Sequence, residues 1–179
     1  EAADECRPEH LNGTGLHEWV TYFEHQMNCA AGFDGKHYDK FSRCLFIAWP
    51  GKPASSADYV KAAYESIRMG PIVAKVFEKL HEKVSNLKLY VVAHSQGNGV
   101  LLHALNHLNQ HVQPLVEHAF FWQAAISNNA LSDHGVYGNN PPSVAEITEL
   151  TAKNPWFCPH AHKGAHYITI LYSKNDNIL

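Results

Sequence analysis

The chain has 179 residues, 45% of them apolar and 17% charged, a balance that supports a folded core and excludes a disordered polar tract. Net charge is −3 and the 14 Lys and Arg residues do not cluster, so nothing in the sequence asks for nucleic acid. No run of about 18 apolar residues occurs, so no segment reads as a membrane-spanning helix. The first residue is Glu1, with no basic n-region and no apolar h-region after it, which leaves a removed signal peptide and a piece of a longer chain both open. Cys6, Cys29, Cys44 and Cys158 form no CxxC pair, which argues against a zinc ribbon and leaves disulfides and free thiols as alternatives.

Taken in chain order, Trp19, Val20, Phe23 and Met27 fall on one face of a predicted helix. Leu45-Phe46-Ile47-Ala48-Trp49, closed by Pro50-Gly51, reads as a buried strand and a turn. Apolar residues then recur at helical spacing from Ser55 to Val84, with Gly70-Pro71 expected to break or kink the stretch into two helices and Asn86 to close it. Leu87 to Ala93 is a second strand, nearly continuous in apolar residues after Lys88, as suits a parallel sheet covered on both faces. Gly97 to Asn109 returns to helical period, with Val100, Leu101, Ala104, Leu105 and Leu108 on one stripe. A third strand runs from about Glu117 to Ile126, and a fourth from Tyr167 to Tyr172.

Between them, the segment from Ser127 to His166 is rich in Asn, Gly, Pro and His, with one short helix expected from Ser143 to Ala152 under a Ser143/Glu146 capping box. With Tyr137, Trp156 and Phe157 it is a candidate lid or acyl-binding wall, or packing for the domain. The alternation of strands and helices predicts βαβ units in a mostly parallel sheet, read here as a single domain over residues 1–179.

Ala93-His94-Ser95-Gln96-Gly97 falls where a strand gives way to a helix, the setting of a nucleophile elbow. Such a turn is tight and strained. It asks for small residues two before and two after the serine, met by Ala93 and Gly97, and it lifts the hydroxyl clear of the sheet edge. The Gln96 backbone N–H would then point to where an oxyanion forms, helped by the positive end of the following helix. His94 is expected to pack under the turn.

The stretch from Tyr90 to Leu102, YVVAHSQGNGVLL, resembles the elbow of lipases and esterases of the α/β-hydrolase superfamily. The stretch from Phe46 to Tyr59, with Trp49-Pro50 ending a strand, and the closing LYSKNDNIL are similar to the same group, so that the resemblance spans residues 45–179. It implies an α/β-hydrolase fold with helices on both faces of the sheet, Ser95 as nucleophile, Asp176 as triad acid after a late strand, and Gln96 as one oxyanion donor. A second donor is expected from the Asn12-Gly13-Thr14-Gly15 loop, at Thr14. The implied reaction is acyl transfer to water on carboxylic esters, lipids among them. It requires no cofactor or metal. The superfamily's chain order is Ser, acid, His, whereas only Asn177, Ile178 and Leu179 follow Asp176, so the fold is expected to be incomplete at the C-terminus.

Fourteen histidines offer other chemistry. His103, His107 and His111 share a helix face at a spacing that could hold a metal, but with no carboxylate or Cys in the sequence beside them a solvated polar face is the expectation. Cys158-Pro159-His160-Ala161-His162, with His166 beyond, is a sharper metal candidate and an alternative source of a catalytic histidine. Two rival functions follow: a binding protein that keeps the hydrolase fold without catalysis, and a metal-dependent hydrolase using the Cys158–His166 cluster.

Overall fold

The structure, a computed structural model, describes residues 16–33, 35–36, 41–49, 58–124, 126, 130–131 and 158–172. Thr14, Asp176, Tyr137, Trp156, Phe157 and the helix expected over 143–152 lie outside them. The chain divides into two compact units, Glu1–Ala48 and Trp49–Leu179.

In the first unit, helix α1 (Leu16–Ala30) carries the predicted Val20, Phe23 and Met27 face. Residues 42–44 are laced to it by side chains. Buried Asn28 donates from Nδ2 to the carbonyl oxygens of Glu24 and Ser42, both at 2.9 Å, and accepts the Ser42 N–H at 2.7 Å. The Glu24 carboxylate accepts the Cys44 N–H at 2.6 Å. The apolar run that follows is not a strand. Leu45, Phe46 and Ile47 are 71%, 48% and 37% exposed, and no β-ladder includes them. An apolar run becomes a strand only against a partner edge, and in this unit the neighbouring backbone is tied to helix side chains instead.

The second unit contains helix α2 (Asp58–Lys83), strand β1 (Tyr90–His94), helix α3 (Gly97–His107), strand β2 (Val116–Trp122) and strand β3 (Ala165–Leu171). The strands form one parallel sheet in the order β1-β2-β3. α3 joins two adjacent parallel strands, the βαβ unit that the alternation predicted. Register is tight: Val92 aligns with Phe120 and Thr169, and His94 with Trp122 and Leu171. All three strands therefore end level at one carboxyl edge.

α2 does not break. It runs through Pro71 as one 26-residue helix. A proline inside a helix removes one hydrogen bond and crowds the preceding turn, but here burial outweighs that penalty. Gly70 sits so close to α3 that an added Cβ would lie 2.3 Å from the His103 Cβ, and Val73, Ala74 and Phe77 on the following turns are buried in the core. Asn86, at φ 57°, takes the left-handed conformation after the helix and closes it as expected. α3 is buried continuously from Asn98 to Leu105. Its Val100, Leu101, Leu102, Ala104 and Leu105 share one core cluster with Val73, Ala74 and Phe77 of α2 and with Ala93, Ala119 and Phe121 of the sheet.

Candidate active site

Ser95 leaves the end of β1 and precedes α3, with Gln96 as the helix N-cap. Its φ is +51°, a left-handed conformation that a non-glycine residue adopts at a cost of about 1–2 kcal/mol. Three hydrogen bonds hold it there. The Ser95 N–H donates to the Trp122 carbonyl at 3.1 Å, which extends the ladder by one step. The Ser95 carbonyl accepts the Asn98 N–H at 3.1 Å and the Asn98 Nδ2 at 2.7 Å.

Asn98 is fully buried, and its Nδ2 also donates to the Trp122 carbonyl at 3.0 Å. One side chain thus ties the turn to the neighbouring strand. A polar residue three places past the serine, at the head of an otherwise apolar stripe, was the signal for it in the sequence. Ala93 is buried as the turn requires. Gly97 is not constrained in the expected way: among the described residues a Cβ there would meet nothing within 4 Å.

Ser95 is partly buried, and its position is the carboxyl edge of a parallel sheet, where α/β folds bind ligands. The first N–H groups of a helix have no intrahelical acceptor and carry its positive partial charge. Gln96 heads α3, so its backbone N–H belongs to that set. β3 ends at the same edge, where Leu171 aligns with Trp122 and His94. Asp176 follows that strand by five residues and lies outside the described residues, as does Thr14.

His94 does not pack under the turn. It is exposed, its Nε2 lies 2.8 Å from the Gln123 Oε1, and its ring meets Trp122 edge-on at 5.1 Å. An amide oxygen only accepts, so His94 carries its proton on Nε2 and donates it to Gln123.

The other histidines are elsewhere. The turn that bears His160 and His162 precedes β3, and His166 is the second residue of that strand. They stand at the amino edge, about 15–20 Å from the carboxyl edge at the rise of a β-strand. The Cys158–His166 cluster therefore does not supply a base to Ser95. The His103 stripe is a solvated face only at His107, which is exposed. His103 is buried with its Nδ1 3.3 Å from the Cys158 Sγ, and His111 Nε2 lies 2.9 Å from the Glu78 carboxylate, partners that come from distant parts of the chain. Burial pushes the Cys158 thiol well up. Among the described residues no three His, Cys, Asp or Glu side chains converge on a metal-sized site. Cys29, Cys44 and Cys158 are free thiols, and no described helix is long and apolar enough to cross a membrane.

Residues 20–179 match a family described as "Alpha/beta hydrolase of unknown function (DUF900)". No curated protein and no solved structure matches the chain. With the elbow, the parallel sheet and a family match over nearly its whole length, the chain belongs to an α/β-hydrolase family.

Proposed function

We propose that the protein is a serine hydrolase that cleaves carboxylic esters through an acyl-enzyme on Ser95. The observation that carries this reading is the left-handed Ser95 between β1 and α3, at the carboxyl edge of the sheet. The strained turn is fixed by three hydrogen bonds, and strain of this kind gathers where a side chain must be presented.

In the reaction, Ser95 Oγ attacks the ester carbonyl carbon and its proton passes to an imidazole. Asp176 orients that imidazole and stabilises its charge. The oxygen of the tetrahedral intermediate is held by backbone N–H groups, that of Gln96 first and that of Thr14 second. The bond to the alcohol oxygen then breaks, and the alcohol leaves with the proton. Water attacks the acyl-serine, gives its proton to the same imidazole, and releases the acid and the free Ser95 hydroxyl.

The test is ester hydrolysis by the full-length protein. Ser95→Ala should abolish turnover, and Asp176→Asn should lower it by on the order of 10⁴-fold, the scale seen when an orienting acid is neutralised. Full activity in Ser95→Ala would refute the assignment.

A further inference from the structure

β1 and β2 end in the same way. The Ser95 N–H donates to the Trp122 carbonyl at 3.1 Å, and the Gln123 N–H donates to the Leu171 carbonyl at 2.8 Å. Each bond carries the parallel ladder one residue past its strand, and each donor then turns the chain in the left-handed region, with φ of 51° at Ser95 and 44° at Gln123. Because His94 aligns with Trp122, the next residues, Ser95 and Gln123, are neighbours across the edge, one strand spacing of about 4.8 Å apart.

A turn alone does not call for glutamine at the second position, since glycine would adopt the same φ with no steric penalty. The glutamine side chain is exposed and aimed by a specific contact, the His94 Nε2–H donated to its Oε1 at 2.8 Å. His94 is itself braced edge-on against Trp122 at 5.1 Å. With the amide oxygen occupied by His94, the amide nitrogen keeps two N–H donors on the residue that neighbours Ser95 across the edge.

We propose that Gln123, oriented by His94, determines specificity by donating a hydrogen bond to an oxygen on the acyl chain of the substrate. This rests on Ser95 being the nucleophile. The backbones of Ser95 and Gln123 are neighbours at that edge, so a donor on Gln123 is matched to an oxygen carried on the first few carbons of the acyl group. The substrate class is then an ester of a short hydroxy- or oxo-acid, and a plain hydrocarbon acyl chain leaves the donors of Gln123 unanswered.

The test compares two esters with one leaving group, para-nitrophenyl butyrate and para-nitrophenyl β-hydroxybutyrate, in the full-length protein. Gln123→Leu should lower kcat/KM on the hydroxy ester about tenfold, the worth of one neutral hydrogen bond, and move the plain ester by less than about twofold. Gln123→Glu keeps an acceptor for His94 but has no donor, and should show the same selective loss. A merely structural role would lower both esters together, and that result, or an unchanged ratio in both variants, overturns the proposal. Mapping a serine-directed phosphonate on the same wild-type sample separates the two levels. Modification at Ser95 with an unmoved ester ratio defeats the role of Gln123 alone, whereas modification elsewhere defeats the nucleophile and this proposal with it.

Discussion

At the carboxyl edge of the sheet the chain leaves β1 and β2 through Ser95 and Gln123, two non-glycine residues in left-handed backbone, with exposed His94 between them. At the amino edge of β3 the turn from Cys158 to Gly164 is packed against α3. Cys158 and Ala161 are fully buried, the His160 N–H donates to the Asn106 Oδ1 at 3.1 Å, and the Cys158 N–H donates to the Ala130 carbonyl at 3.2 Å. Gly164 lies so near α3 that an added Cβ would fall 2.5 Å from the Leu105 carbonyl oxygen. One edge stores backbone strain and presents polar groups. The other has no room for a methyl group. The difference separates a region shaped by what it must present from one shaped by how it must pack.

The largest effect should come from the strained edge and appear in activity alone. Ser95→Gly should lower ester turnover by on the order of 10⁴-fold or more, while its stability holds or rises by up to about 1 kcal/mol, because glycine relieves the left-handed strain. A clear loss of stability in that variant would mean that the turn is not strained as described.

Gly164→Ala should do the reverse. Its Cβ meets backbone that cannot swing aside, so thermal or denaturant unfolding should show a loss of about 2–3 kcal/mol, the upper range for overpacking. An unchanged midpoint would contradict the close approach of this turn to α3.

Asn98 links the two behaviours, since it is buried like the packed edge yet braces the strained turn. Asn98→Ala should cost about 1 kcal/mol in denaturant unfolding, because both carbonyls keep a backbone donor. Asn98→Asp sets a carboxylate against those carbonyls and should cost more, about 2–3 kcal/mol. Equal losses would show that the amide donor is not what matters.

The last effect concerns pH at the packed edge. Burial raises the Cys158 thiol above its ordinary value of 9.0. The unfolded chain releases that proton near pH 9 while the folded chain keeps it, so the contribution is complete below that pH and is lost as pH rises. Stability should fall above pH 9 by about 1.4 kcal/mol per pH unit for this proton. Cys158→Ala should flatten that slope, and a slope unchanged by the substitution would place the titration elsewhere.

What could be read from the sequence follows the same division. Local patterns sufficed for β1, α3, β2 and β3, whose observed bounds lie close to the expected ones, and for Ser95 as the residue between strand and helix. They failed where the deciding partner is distant in the chain. Pro71 suggested a break because its own turn is weakened, but the contact of Gly70 with His103 holds α2 together. The run from Leu45 to Ile47 has strand composition but no ladder partner among the described residues. His103 looked like part of a solvated stripe until the fold brought Cys158 against it. Asn98 and Gln123 were missed for the same reason: each is held by a bond to a residue at the end of a strand distant in the chain, Trp122 of β2 for Asn98 and His94 of β1 for Gln123. Thr14 and Asp176 rest on the family resemblance, outside the described residues.

The proposed reacting group is the strained serine, Ser95. The most direct measurement is to treat the full-length protein with a serine-directed fluorophosphonate at neutral pH and map the adduct by peptide mass spectrometry. One adduct is expected, on Ser95, formed in step with loss of ester hydrolysis and absent from Ser95→Ala. An adduct on another serine, or hydrolysis that survives full modification of Ser95, would contradict it.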